Sequence, residues 1–310
     1  MSKKKGIYLH SQLRFTMSKY NRFKGTGVAI VTPFHRDGSI DFKSLGKLIE
    51  HLIKGKVEYL VALGTTGESV TLNKDEKAAI ISYVVEMADK RLPIVVGIGG
   101  NNTQEILNCL KSYDLTGVDS ILSVSPYYNK PNQRGLFQHF KMIADVSSLP
   151  IILYNVPGRT SSNITADTTL KLAREVKNII AIKEASGNIE QIMKIIKNKP
   201  KDFMVISGDD MLALPVVACG GDGVISVVAN AFPKDFSEMV RQALQGNIKE
   251  AQKLHYKLTD ITEQLFADGN PGGIKAALEM LKICQANLRL PLYKINKKTH
   301  KRLAELVSAY

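Results

Sequence analysis

The sequence predicts an α/β fold, a (β/α)8 TIM barrel with a C-terminal helical extension, and three observations carry that prediction. Short runs rich in β-branched residues alternate with amphipathic stretches from Gly25 onward, and the alternation repeats eight times. The short runs are apolar nearly throughout, as parallel strands buried on both faces require. After the first of them comes Thr32-Pro33-Phe34 rather than the glycine-rich turn of an open dinucleotide-binding sheet, so the closed barrel ranks ahead of a doubly wound alternative.

In chain order, strands are expected at Gly27 to Thr32, Tyr59 to Leu63, Ile94 to Ile98, Ser120 to Val124, Ile151 to Asn155, Ile179 to Lys183, Phe203 to Ser207 and Gly223 to Val227. Helix-period segments lie between them, among them Asp41 to Lys54, Lys74 to Asp89, Thr103 to Asp114 and Gly135 to Val146, each long enough for a right-handed crossover. From Asn247 to the C-terminus only helical periodicity remains, with Leu254, Leu258, Ile261 and Leu265 on one face and Pro271-Gly272-Gly273 breaking the run. The expected division is therefore a catalytic barrel over 17–246 and a helical domain over 247–310 packed directly onto it. Residues 1–16 are polar and basic and lack the central apolar stretch of a secretory signal; they read as a disordered tail, although a mis-assigned start at Met1 in place of Met17 explains them equally well.

Composition removes several classes of function. A chain of 310 residues, 44% of them hydrophobic, can bury a large core. No apolar run approaches the roughly 18 residues of a membrane span, so no membrane partner is expected. Cys109, Cys219 and Cys284 are widely spaced and odd in number, which gives no disulfide framework and points to a reducing compartment, the cytoplasm. Six histidines lie scattered without ligand spacing, so no metal is expected. The formal charge of +13 comes mostly from lysines dispersed over helix faces without interleaved aromatics, which describes a solvated surface better than a nucleic-acid interface. The densest cluster, Lys297, Lys298, Lys301 and Arg302, falls in the last helix.

In a barrel of this kind chemistry sits at the C-terminal strand ends. The sixth strand ends in Lys183 after Ile179-Ile180-Ala181-Ile182, and burial of an ammonium there favours the free amine, a nucleophile toward ketones. The alternative role, an ion pair with a neighbour, is weakened because Glu184 should face the other way by strand alternation. Tyr154, at the end of the adjacent strand, offers a phenol that can pass protons. Thr65 and Thr66 sit between Gly64 and Gly67 in a turn that can present N–H groups and hydroxyls to a small carboxylate, and Arg159 could grip a second one. Each is an ordinary feature alone; together they make a pocket with one amine, a proton relay and two anion sites. The Gly220-Gly221-Asp222-Gly223 turn precedes its strand and so belongs to the opposite rim, where no phosphate site is expected.

With these residues assembled, the chain from about Gly25 to its end resembles the dihydrodipicolinate synthase family of pyruvate-dependent class I aldolase-type barrels. The resemblance rests on GTTGES at 64–69, SPYYNKP at 125–131, YNVPGRT at 154–160, IKEASG at 182–187, SGDD at 207–210 and GGDGVISV at 220–227. It implies that Lys183 forms an imine with pyruvate, that Tyr154, Thr65 and Tyr128 form the proton relay, and that Tyr128 reaches in from a neighbouring subunit of a homo-oligomer, in most relatives a tetramer. It further implies that Thr65 and Thr66 hold the pyruvate carboxylate, that Arg159 holds the carboxylate of L-aspartate 4-semialdehyde, and that backbone at Gly208 and Ile225 lines the pocket. No organic cofactor is implied, because the protonated imine is itself the electron sink. N-acetylneuraminate lyase and the 2-keto-3-deoxy sugar-acid aldolases are the rival activities on this scaffold; Thr65 and the Gly158-Arg159-Thr160 sequence speak against them. A non-catalytic binding protein is a further rival, disfavoured by the intact relay. Ser69, Asn101, Glu105 and Tyr127 match positions that bind feedback lysine in sensitive relatives, whereas Lys77 stands where those relatives often carry histidine, and a fixed cation there disfavours a second one.

Overall fold

The computed structural model describes residues 21–310, so the tail expected over 1–16 lies outside the described residues. Eight parallel strands close into a barrel: β1 (Gly25–Ala29), β2 (Tyr59–Ala62), β3 (Ile94–Gly97), β4 (Ser120–Val124), β5 (Ile151–Asn155), β6 (Ile179–Glu184), β7 (Met204–Ser207) and β8 (Gly223–Ser226). The last pairs with the first, Gly25 against Gly223. The predicted (β/α)8 barrel is thus the observed fold. The first strand starts two residues earlier than its apolar run, because pairing with β8 begins at Gly25, while Val31 leaves the sheet and donates its N–H to the Asn230 side chain at 3.2 Å.

The helices between the strands are α1 (Phe42–Lys54), α2 (Lys74–Ala88), α3 (Thr103–Ser112), α4 (Gln133–Val146), the single turn α5 (Pro157–Thr160), α6 (Ala166–Glu175), α7 (Ile189–Asn198), α8 (Ala213–Ala218) and α9 (Pro233–Leu244). Their starts follow from local chemistry. Asp41, Asn73, Asn102, Asn132, Thr165 and Asn188 each accept a first-turn N–H through the side chain, and Asn73 with Glu76 forms a full capping box. Strand alternation then sorts the core into two layers. Leu60, Ala62, Val96, Ile121, Leu153 and Val205 pack outward under the helices, while Ala29, Val61, Val95, Leu122, Ile152, Ile206 and Ile225 fill the barrel interior.

At the N-terminal rim, carboxylates tie the strand starts together. Asp119 accepts the Ile94 N–H at 2.8 Å and pairs with Arg22, Glu58 accepts the Thr26 N–H at 2.7 Å and pairs with Arg241, and Asp222 accepts the Val205 N–H at 2.9 Å and pairs with Lys199. Asp222 is the acid of the glycine turn at 220–223, which therefore serves the α-to-β connection at this rim, with Gly220 at φ 100°.

After α9 the chain forms α10 (Ile248–Phe266), α11 (Gly272–Met280) and α12 (Lys297–Ala309). Pro271-Gly272-Gly273 does more than interrupt a helix: it opens α11, and a Cβ on Gly273 would come within 2.1 Å of the Leu265 carbonyl oxygen, so glycine is what lets α11 cross the end of α10. No described helix is long and apolar enough to cross a membrane.

Candidate active site

The site is organised by the β5–β6 pair. Tyr154 and Lys183 are register partners at its C-terminal end. That alignment depends on one irregularity: Ile151 pairs with Ile179 but Ile152 pairs with Ala181, which leaves Ile180 as an extra residue in β6. Ile179 packs in the outer layer, Ile180 and Ala181 both turn inward, and Ile182 is outward again. Lys183 therefore points into the barrel, where strict alternation from Ile179 would have aimed it at the helices.

Lys183 is 5% exposed, and its Nζ lies 4.3 Å from the centre of the Tyr154 ring. Among the described residues, no carboxylate forms an ion pair with it. Glu184 faces the other way, as expected, and is held by the Asn155 amide at 3.1 Å, the Gln191 amide at 2.9 Å and the Ser186 N–H at 2.8 Å. Burial pushes its carboxyl up from the ordinary glutamate range, against the pull of those donors. Gly208 lies against the lysine stem, where a Cβ would meet Lys183 Cε at 3.0 Å and Ala185 Cβ at 2.6 Å. Ile225 is buried in the inner layer on β8. Just beyond it, the fully enclosed Asp210 accepts from the Ser226 hydroxyl and from the N–H groups of Val227 and Val228 at 3.1 and 3.3 Å, and burial pushes its carboxyl up to about 6.

After β2 the chain folds into a tight turn in which Gly67 N–H donates to Gly64 O and Glu68 N–H to Thr65 O, both at 3.1 Å. Thr65 is half-buried; Thr66 is buried, and its Oγ1 accepts from Asn270 Nδ2 at 3.0 Å.

A cavity of about 550 Å3 opens beside this turn and takes in Thr65, Tyr154 and Arg159. Its size suits a small-molecule site. Ser69, Lys77, Asn101, Glu105 and Tyr127 line the same cavity, so the structure joins in one space what the sequence presents as two sites. Asn101 Nδ2 donates to the Tyr127 carbonyl at 3.2 Å, and Asn129 Nδ2 returns a bond to the Asn101 carbonyl at 3.0 Å. Lys183, Thr66, Gly208 and Ile225 do not line this cavity themselves but adjoin residues that do: Lys183 lies against Tyr154, and Thr66 follows Thr65. Tyr128 is not brought into the cavity of its own chain: it is 88% exposed with φ at 74°. Among the described residues, no group of three or more His, Cys, Asp or Glu is placed to hold a metal ion.

The family model described as the Dihydrodipicolinate synthetase family matches residues 22–310. The chain belongs to this family. A 4-hydroxy-tetrahydrodipicolinate synthase of Flavobacterium psychrophilum is 52% identical over 281 residues, 91% of this chain and 96% of the relative. The crystal structure of dihydrodipicolinate synthase from Aquifex aeolicus superposes with a TM-score of 0.90 at 41% identity, covering 93% of this chain and 98% of that one. A structure described as the first monomeric dihydrodipicolinate synthase variant gives a TM-score of 0.91 at 39% identity, with 94% and 98% covered.

The C-terminal extension supplies site residues that the sequence reading passed over. Asn270 lines the cavity next to Thr66, and its Oδ1 is buried without a partner among the described residues. Lys275 and Glu68 form an ion pair with both side chains fully enclosed. Burial pulls the Lys275 ammonium below the usual lysine range while Glu68 pulls it back. A signal for Lys275 was available: it is the lone charge in Ile274-Lys275-Ala276-Ala277-Leu278, the pattern of a lysine carried into a core.

Proposed function

We propose that this chain is a 4-hydroxy-tetrahydrodipicolinate synthase, a lyase that condenses pyruvate with L-aspartate 4-semialdehyde in lysine biosynthesis through diaminopimelate. The observation that carries the reading is Lys183, level with Tyr154 across β5–β6 and free of any carboxylate partner among the described residues. The amine of Lys183 adds to the pyruvate ketone, and the carbinolamine loses water to give an imine. Loss of a methyl proton gives the enamine, whose carbon attacks the aldehyde. The amine of the semialdehyde then attacks the imine carbon and displaces Lys183, closing the ring. The balance is one pyruvate and one semialdehyde to (4S)-4-hydroxy-2,3,4,5-tetrahydrodipicolinate and one water, with no organic cofactor, since the protonated imine accepts the electron pair.

Tyr154 and Thr65 pass protons during carbinolamine formation and collapse, with Tyr128 of a second copy as the third member. Thr65 and Thr66 hold the pyruvate carboxylate, Arg159 holds that of the semialdehyde, and backbone at Gly208 and Ile225 shapes the pocket behind the lysine. The exposure of Tyr128 and its left-handed backbone support a residue presented to another molecule, and the resemblance to the family supports a homotetramer built from two dimers. The division is a barrel over 17–246 carrying the chemistry and a helical domain over 247–310. The enzyme works in the cytoplasm, without nucleic acid or membrane.

Borohydride added with pyruvate should fix an adduct of about 72 Da on the peptide containing Lys183, and pyruvate plus aspartate semialdehyde should turn over in a coupled assay. No adduct at Lys183 overturns the mechanism, and turnover of sialic acid alone overturns the substrates. Ser69, Lys77, Asn101, Glu105 and Tyr127 form the effector end of the cavity, and the cationic Lys77 leaves lysine inhibition weak or absent. Submillimolar inhibition in a steady-state titration would contradict that.

A further inference from the structure

We propose that Lys275, acting through Glu68, is a positioning residue that sets the Thr65–Thr66 turn, so that the C-terminal extension fixes where the pyruvate carboxylate binds. The inference rests on the synthase reading above and deepens it.

Glu68 closes the turn. Its backbone is left-handed at φ 54°, and its N–H donates to the carbonyl of Thr65. Wherever the Glu68 carboxylate is anchored, the turn is anchored with it. That carboxylate is fully enclosed, and an enclosed carboxylate must find its donors in protein. Among the described residues, all of them come from beyond residue 270. Lys275 Nζ pairs with one oxygen, and the Arg289 N–H donates to the other at 3.1 Å. Lys275 is held in turn by the Asn287 carbonyl at 2.7 Å, and Asn287 Nδ2 donates to the Phe34 carbonyl at 3.1 Å. The Arg289 guanidinium continues the clamp to the Thr71 carbonyl at 2.9 Å, to Gly38 at 2.7 Å and to Glu76 at 2.8 Å, and it holds the Glu76 carboxyl down at about 2. Asn270 makes a second, independent hold on Thr66.

A core that needed only stability could fill this space with apolar side chains at no loss, because a buried ion pair contributes little net stability against its desolvation. A charged pair does fix a direction: the turn can sit only where both oxygens meet their donors. The hydroxyl of Thr65 and the backbone around Thr66 are thereby held ready rather than ordered by substrate.

The test compares wild type with the double variant Glu68→Gln/Lys275→Met, which removes both charges, keeps the volume and leaves an acceptor for the Arg289 N–H. Asn270→Ala is tested in parallel as the lesser perturbation. The expected result is a folded double variant whose KM for pyruvate rises by about 10-fold or more while the KM for aspartate semialdehyde stays within about twofold, with Asn270→Ala shifting in the same direction by less. Borohydride should still trap pyruvate on Lys183, but only at correspondingly higher pyruvate. Unchanged pyruvate KM in a folded double variant overturns the proposal, as does an equal loss toward both substrates. If the double variant does not fold, an unchanged pyruvate KM in Asn270→Ala overturns it. Wild type that forms no adduct at all sinks the underlying synthase reading instead, so the two failures are told apart.

Discussion

The two rims of the barrel treat charge in opposite ways. At the N-terminal rim Asp119, Glu58 and Asp222 each hold a strand-start N–H and a cation, so these charges are used in holding the strands to one another. At the C-terminal rim Lys183 is buried against the Tyr154 ring and, among the described residues, makes no ion pair, while the other enclosed lysine there, Lys275, is paired with Glu68. A charge that is already paired cannot be recruited by a substrate. The rim that leaves one amine unpaired is the one with chemistry to do.

The comparison can be broken most severely at Lys183. Lys183→Ala should lower condensation by about 1000-fold or more, abolish the borohydride adduct and leave the thermal midpoint close to that of wild type, since no ion pair is lost. A residual adduct elsewhere on the chain would show that the upper rim holds another reactive amine. Next comes the lower rim. Asp222→Ala removes an acceptor for the Val205 N–H together with the partner of Lys199, and should cost about 1 to 3 kcal/mol in urea unfolding while kcat/KM stays within about twofold. A large kinetic effect would show that the rims are coupled. The smallest effect is a pH dependence in the helix layer outside both rims. His139, bonded to the Thr103 hydroxyl at 2.8 Å, is held by burial down at about 4, below the usual histidine value. Between those two values the unfolded chain takes up a proton that the folded chain refuses, so stability falls as pH drops through that window and levels off below it. His139→Asn should flatten the slope of the urea midpoint between about pH 6.5 and 4.

How much of this was legible depends on distance along the chain. Strands buried on both faces leave continuous apolar runs, so the eight strands and the candidate residues at their ends, Lys183, Tyr154, Thr65 and Arg159, could be found from local pattern alone. The inward aim of Lys183 follows only in part from its apolar surroundings, because the extra Ile180 that produces it leaves no trace in composition. Asn270 and Lys275 meet Thr66 and Glu68 across 204 and 207 residues of sequence, and no periodicity reaches that far. Pro271-Gly272-Gly273 looked like punctuation because its glycine requirement comes from a helix crossing, a tertiary fact. The single cavity shared by Thr65 and Lys77 was equally invisible, since one motif faces it from either end.

Ile180 makes the wall of the barrel a matter of odd and even. Ironing out the irregularity while keeping all six residues would give β6 strict alternation from Ile179 and exchange the two charges at its end: Lys183 would pass out into the helix layer among Asn155 and Gln191, and Glu184 would turn inward beside Tyr154. Every contact along the strand could be rebuilt from similar apolar residues, and the fold could persist. What would change is the sign of the charge offered to a ketone, from a nucleophile to a carboxylate. In a lineage of such barrels the odd residue between Ile179 and Lys183 and the irregularity that absorbs it are therefore bound together: both are kept or both are lost.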